Sequence, residues 1–521
     1  MNFLNFFEND FLAVFPELFI ATVIIFLLSY GVIFSTSEYY KSPALAVNVS
    51  WLSFFTLGIA LLLCINSSSS CMTVFNNMLM LSPFTTLIKA FILLSSMACI
   101  LISMNYLDYQ RINTFEYSLL ILLSVLGMLC LVCTYDLLSL YLSVELMSLS
   151  FYILAAYKRN SEFSGEAGLK YFILGAFSSG LLLFGSSILY GFTGMTTFED
   201  IARLLVGLCT ISDPLSYNGI VIGILFVSIA LLFKVAAAPF HMWSPDVYEG
   251  SPTPVTAFFS SVPKVALLAL YLRLFFYTFY DFIAVWQDLL LLCAMISMVW
   301  GSIAALSQTR IKRLMAYSGI VNVGYMLIGI ASGTITSLVG LLVYLFIYVV
   351  MTIGFFSFIL GTQDYKTKGL NVYLLDLTNL GKTNIVLGLA VSLILFSMIG
   401  LPPLAGFFGK MYLFFAAMNS NLYTVAILGV MSSVVAAFYY IRLIKLMFFE
   451  MSSKRFTLYK QMDQVNAYVL SISLLLLLIF FVSFDRVFLS CYRVGLYLFL
   501  YKGFTINFID KLIFIINIET P

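Results

Sequence analysis

Charge is what this 521-residue sequence has least of. Only 10% of its residues are Asp, Glu, Lys or Arg, where soluble domains carry about a quarter, and His241 is its one histidine. So few charges cannot cover a water-facing surface, which excludes a soluble globular protein. Net charge is +2 with the basic residues scattered, so no basic face offers a footing to nucleic acid and no nucleic-acid partner is expected. Cysteine is sparse and sits mostly in apolar stretches. The close pair Cys130 and Cys133 in "CLVC" lacks the two further ligands of a metal site and reads as packing. No Lys or Arg precedes Lys41, so the start has neither a signal peptide's basic flank nor an Arg-rich transit peptide's composition, and insertion at the site of synthesis or by the first apolar run is expected. There is no Gly-rich phosphate loop behind a strand and no haem or iron–sulfur ligand set, so any redox chemistry linked to this chain belongs to a partner.

Apolar sequence is what is there: 62% of residues are hydrophobic. Runs of about 17 to 25 residues, long enough to cross ~30 Å of hydrocarbon, recur fourteen times. They lie near 11–34, 44–65, 80–104, 117–134, 137–157, 170–192, 219–248, 254–279, 282–306, 315–331, 336–361, 384–416, 421–448 and 466–489. The expected fold is an all-α polytopic membrane protein. Runs seven and twelve are distinctly long and hold Pro239 and the pair Pro402, Pro403 in mid-run. Proline removes a backbone donor and clashes with the preceding turn, so both helices are expected to be broken, which hydrocarbon tolerates only inside protein or beside a wet cavity.

Runs four to eight and nine to thirteen form two blocks of five. Five is odd, so the second block starts from the opposite face, and the broken runs are the fourth members of each. That is the pattern of inverted repeats with a path at the midplane. The implied parts are an N-terminal three-helix segment (1–116), a first repeat (117–279), a second inverted repeat (280–448), and a C-terminal helix and tail (449–521), with no chemistry assigned beyond about 490. Sixteen of the 26 Lys and Arg fall in loops on one side, among them Lys41, Arg111, Lys158, Arg310, Lys312, Arg313, Lys366, Lys368, Lys454, Arg455 and Lys460. Six, including Lys511, fall on the side of the termini. The positive-inside rule then places both termini outside.

Four ionisable residues stand within runs, where each costs about 2.5 to 3.5 kcal/mol to insert: Glu145, Lys234, Lys264 and Lys410. Glu145 is roughly 13 Å deep along its helix, beyond the reach of a short side chain to water. A single acid and base could simply bolt two helices together, but three lysines with one acid do not balance. Holding a lysine neutral near pH 7 takes ~4 kcal/mol, about what an ion pair at ~4 Å supplies, so making or breaking a Glu145–Lys234 contact could load or unload a proton. His241, just past the first break, is either a hydrogen-bonded anchor or a relay. Lys89, nearer a helix end, reads as a snorkelling anchor, and Asp246 and Glu249 as a solvated loop face. Tyr344, Tyr348 and Thr352 share one helix face and offer interhelical hydrogen bonds or a hydrated link between Lys264 and Lys410.

The segments "EAGLKYFILGAFSSG", "FKVAAAPFHMWSPDVYEGSPTPVTAFFSSVPK", "KRLMAYSGIVNVGYMLIG" and "GLPPLAGFFGKMYLFFAA" closely resemble the subunit 2 family of proton-pumping NADH:quinone oxidoreductase, respiratory complex I. The resemblance runs from "FLAVFPELFI" to about residue 489. It implies a fourteen-helix antiporter-like subunit whose proton path uses Glu145, Lys234, Lys264 and Lys410. It implies that NADH, FMN, iron–sulfur clusters and ubiquinone are handled by partner subunits. The neighbours it implies are small membrane subunits, a second antiporter-like subunit and accessory subunits. Separately, the basic loops on the matrix side suit an acidic membrane lipid such as cardiolipin. The Phe-rich composition points to a mitochondrial inner membrane, a bacterial plasma membrane being the alternative.

Overall fold

Backbone N–H and C=O groups in hydrocarbon find no water, so apolar runs of this length close their hydrogen bonds internally as helices. A computed structural model describes residues 10–34, 45–67, 71–110, 112, 114–208, 214–362, 372–378, 380–450 and 461–502. Lys41, Arg111, Lys366, Lys368, Lys454, Arg455, Lys460 and Lys511 lie outside the described residues. The helices in chain order are Phe15–Phe34 (α1), Leu45–Asn66 (α2), Pro83–Tyr109 (α3), Glu116–Cys133 (α4), Leu137–Ala155 (α5), Glu162–Thr193 (α6), Phe198–Leu208 (α7), Pro214–Val235 (α8), Trp243–Gly250 (α9) and Thr253–Arg273 (α10). There follow Ile283–Leu306 (α11), Ile311–Ala331 (α12), Ile335–Gly361 (α13), Leu380–Thr383 (α14), Ile385–Ile399 (α15), Ala405–Asn419 (α16), Tyr423–Phe448 (α17), Gln464–Ile479 (α18) and Phe484–Lys502 (α19). One antiparallel hairpin, Met72–Val74 (β1) with Leu79–Leu81 (β2), joins α2 to α3.

Local chemistry sets the ends. Ser82 and Thr85 form a capping box at α3 with Pro83 in the first turn, Thr334 and Ser337 do the same for α13, and Asp136 and Asn384 cap α5 and α15. Gly194, at φ 69°, stops α6 in the left-handed region that glycine enters without penalty.

Among the described residues twelve helices are long and apolar enough to cross a bilayer, and a thirteenth span counts if Gln464–Ile479 and Phe484–Tyr497, bent by 88°, are taken as one. The run 384–416 is not among these because, as Pro402 and Pro403 lead one to expect, it is two 15-residue helices, α15 and α16, each only ~22 Å long at 1.5 Å per residue.

Both expected breaks are present, and each helix stops before its proline. In α8 the N–H of Ala237 reaches Leu232 O and that of Ala236 reaches Phe233 O, with Ala236 at φ 65°. In α15 the N–H of Leu401 reaches Phe396 O and that of Gly400 reaches Ser397 O, with Gly400 at φ 92°. Both are Schellman closures, with Pro239 and Pro402 following where the helix can no longer continue. Ala236 carries a Cβ in the left-handed region, which costs ~1–2 kcal/mol. The broken elements are the fourth of the blocks α4, α5, α6, α8, α10 and α11, α12, α13, α15/α16, α17.

The centre of the fold is α10, α12 and α13, whose apolar windows are 100%, 94% and 89% buried, against 22% for α1 and 33% for α6. Exposed Phe, Leu and Ile on the outer helices make the surface that faces lipid. Whatever α10, α12 and α13 carry is therefore shielded from lipid by protein.

Candidate functional site

Pro263 interrupts the hydrogen bonding of α10 in its middle. Having no N–H, it leaves Phe259 O without its helical donor, and Tyr248 Oη donates to that carbonyl at 3.2 Å. One residue on, Ser260 O accepts from Tyr348 Oη at 3.1 Å. Lys264 follows the proline, 5% exposed, and its ammonium donates to Tyr348 Oη at 2.7 Å and, weakly, to Gly319 O at 3.4 Å, 4.8 Å from the Tyr348 ring centre. Among the described residues no carboxylate lies within 4 Å of it.

Lys234 is the penultimate residue of α8, where the helix dipole favours a cation. It is 8% exposed and its Nζ lies 3.5 Å from Tyr152 Oη. Trp243 Nε1 donates to Phe233 O at 2.9 Å, a carbonyl that also accepts from the N–H of Ala236 in the Schellman closure. Glu145, the ninth residue of α5, is half-buried and accepts a long hydrogen bond from Ser148 Oγ at 3.4 Å, while its Oε1 is buried without a partner. It attracts Lys234 electrostatically, yet the two do not form an ion pair: the expected contact is open in this structure.

Lys410, 6% exposed, reaches from α16 back across the second break. Its Nζ donates to Met398 O and Ile399 O, both at 2.9 Å, satisfying the last carbonyls of α15. The Tyr325 ring lies 5.2 Å away.

Two small cavities lie beside these groups. One of about 20 Å³, room for about one water, is lined by Lys234, Lys264, Ser148, Tyr171, Trp243 and Tyr248 among others. A second, of about 10 Å³, is lined by Tyr348, Ser260, Ser318, Asn322, Thr352 and Met398. It runs from the hydroxyl that holds Lys264 to the residue whose carbonyl holds Lys410. Tyr344 Oη donates to Asn322 Oδ1 at 2.9 Å beside it. Tyr344, Tyr348 and Thr352 thus supply one interhelical hydrogen bond, one lysine contact and one cavity wall.

His241 is buried, with Nδ1 unpartnered and its ring edge-on to Trp300 at 6.4 Å. It does not line the Lys234–Lys264 cavity. The sequence reading missed Tyr152 and Asn322. Tyr152 lies seven residues after Glu145, on the same helical face, and Asn322 is an amide in an apolar helix; either signal could have been used.

Two assignments are corrected. Lys89 does not snorkel: it is 2% exposed and forms an ion pair with Glu17 of α1, itself 5% exposed. Glu17 is an acid in the first run that the count of in-span charges left out. Asp246 and Glu249 are not simply solvated. Asp246 pairs with Lys170 at 3.0 Å and Arg313 at 2.8 Å, and Glu249 pairs with Arg310 and Arg313, its side chain only 14% exposed. These pairs tie α9 to α6 and to the start of α12. Burial alone would raise the Asp246 carboxyl, but the Lys170 and Arg313 hydrogen bonds and charges hold it below its usual range.

The family description "NADH:quinone oxidoreductase/Mrp antiporter, TM" matches residues 134–436. The chain is 47% identical over 491 residues to NADH-ubiquinone oxidoreductase chain 2 of Marchantia polymorpha, covering 94% of this chain and 99% of that one. It is 43% identical over 474 residues to NADH-quinone oxidoreductase subunit N of Paramagnetospirillum magneticum, covering 90% and 94%. Its structure superposes on a chain of respiratory complex I from Thermus thermophilus with a TM-score of 0.73 and 27% identity, covering 91% and 98%. With the family match spanning both breaks and Lys234, Lys264 and Lys410, the chain belongs to the NADH-ubiquinone oxidoreductase chain 2 family of antiporter-like membrane subunits.

Proposed function

We propose that this chain carries protons across the inner mitochondrial membrane as an antiporter-like subunit of respiratory complex I, driven by electron transfer from NADH to ubiquinone in partner subunits. The observation that carries the reading is the row Lys234, Lys264, Lys410, each at a break or proline of its helix, with one small cavity walled by Lys234 and Lys264 and a second walled by Tyr348, which holds Lys264, and by Met398, whose carbonyl holds Lys410. A buried amine without a carboxylate partner is costly to keep charged and inexpensive to discharge. The chain's residues then act in sequence: a proton from the matrix reaches Lys234, passes the first cavity to Lys264, and moves by way of Tyr348 and the second cavity to Lys410. It leaves on the intermembrane-space side, where both termini lie. Glu145 gates the first step, attracting the proton to Lys234 when the two close and releasing it when they part, and His241 serves as a relay at the first break. The blocks 117–279 and 280–448 act as inverted halves. No redox step occurs in this chain, since NADH, FMN, the iron–sulfur clusters and ubiquinone belong to its partners.

The test is Lys234→Ala in the assembled complex reconstituted into vesicles. The proposal expects fewer protons per electron with assembly intact; an unchanged ratio would reduce the buried lysines to a structural role. The second reading, a stand-alone cation/proton antiporter, rests on the Mrp members of the family. Extraction in mild detergent separates the two, because co-purification with a redox-active assembly excludes the stand-alone protein.

A further inference from the structure

Basic side chains crowd the helix ends near Lys158 and Arg310, on the face where the sequence places most positive charge. A cleft of about 390 Å³ opens there. Among its walls are Lys158 just after α5, Ser161 before α6, Ser251 before α10, and Arg310 and Lys312 at the start of α12. Lys158 donates to Gln110 Oε1 at 3.1 Å, and Lys312 donates to Ser251 O at 2.7 Å and weakly to Glu249 O at 3.4 Å. Neither has a carboxylate within 4 Å among the described residues, and the two ammoniums repel one another. Glu249, the carboxylate on the wall, is already held by Arg310 and Arg313. Among the described residues the two amines of this cleft, Lys158 and Lys312, have no carboxylate partner.

The rest of the cleft is built to receive an anion. Ser251 is 1% exposed, and its hydroxyl is buried without a hydrogen-bond partner. The N-termini of α10 and α12 point here, and neither has a side-chain cap, so the positive ends of two helices of 21 residues each add to the lysines. α3 and α5 end, and α6, α10 and α12 begin, around this cleft, so it sits at the ends of the apolar helices rather than among their middles.

We propose that this cleft binds the phosphate oxyanion of a ligand at the membrane surface, with Lys158 and Lys312 as charge partners and Ser251 Oγ as hydrogen-bond donor. An acidic phospholipid headgroup and free phosphate share that chemistry. The site is separate from the lysine row and does not depend on it.

Photoreactive phosphatidylglycerol is added to the purified, delipidated complex, and labelled peptides are mapped, with photoreactive phosphatidylcholine as the control. Labelling of the peptides around 106–110 and 372–373 is expected, falling about fivefold in Lys158→Gln and in Lys312→Gln but little in Lys312→Arg, which keeps the charge. Millimolar inorganic phosphate that removes the labelling assigns the site to a free anion; labelling that survives it assigns the site to the lipid. Lys158 stands in a loop, so Lys158→Gln reports even where a change within α12 disturbs folding. Labelling unchanged in both glutamine variants, or equal labelling by phosphatidylcholine, overturns the proposal.

Discussion

Removing one oxygen atom tests the path at its narrowest point. Tyr348→Phe keeps the ring, whose centre lies 4.8 Å from Lys264 Nζ, and deletes the hydroxyl that accepts from that ammonium at 2.7 Å and donates to Ser260 O at 3.1 Å. The other polar atom within reach of Nζ is Gly319 O at 3.4 Å, too long to compensate. A hydrogen bond to a charged group contributes about 1.5–3 kcal/mol. The proton-loaded state of Lys264 therefore loses a factor of about 10 to 150 relative to the unloaded state. The cation–π contact, ~0.5–2 kcal/mol, is retained, so the chain still folds and the loss is specific to proton handling. The assay is proton uptake into vesicles holding the assembled complex, read against NADH oxidation. A fall in protons per electron, or in turnover at high membrane potential, is expected. A variant that matches the parent in both, while correctly assembled, refutes the assignment of Tyr348 and weakens that of Lys264.

Three further outcomes follow from the packing. Gly406→Ala would place a Cβ 1.7 Å from Ser397 O, across the second break; with no flexible side chain to yield, the prediction is loss of assembled complex on native gels. Breaking a buried ion pair costs about 3–5 kcal/mol, so Glu17→Gln or Lys89→Gln should lower the thermal midpoint of the extracted complex, and Glu17→Met with Lys89→Met should recover much of the loss. The Asp246 carboxyl is held below its usual range in the folded chain, so its stabilising pairs are present above the ordinary Asp value of ~3.9 and are lost as pH falls through the folded value. Asp246→Asn should therefore flatten the acid limb of a stability–pH curve measured below about pH 4, with little change in its shape near neutrality.

Much of this was legible in the sequence because the bilayer makes strict demands. Eleven of the runs are single helices of the expected kind, since a run of that length in hydrocarbon has no other way to satisfy its backbone. The two breaks were legible in Pro239 and Pro402, although the helices end at Ala236 and Gly400, because a Schellman closure is set by backbone conformation that residue type only suggests. The run 384–416 is accordingly two half-helices, neither long enough to cross the bilayer alone. Lys89 was misread because its partner, Glu17, is 72 positions away on another helix. Depth along one helix does not reveal what packs against it. Tyr152 and Asn322 left signals in the sequence, but the carbonyls of Met398 and Ile399 that hold Lys410 are set by three-dimensional neighbours that no spacing encodes.

A density map of the assembled complex, sharp enough to show ordered water, tests the central claim most directly. The account predicts water beside Lys234 and Lys264 in the cavity walled by Ser148 and Tyr248, and again among Tyr348, Ser318 and Asn322 on the way to Lys410. Finding both places filled by Phe151, Met351 or Met398 side chains in every state of the enzyme, with no water between the lysines, would contradict it.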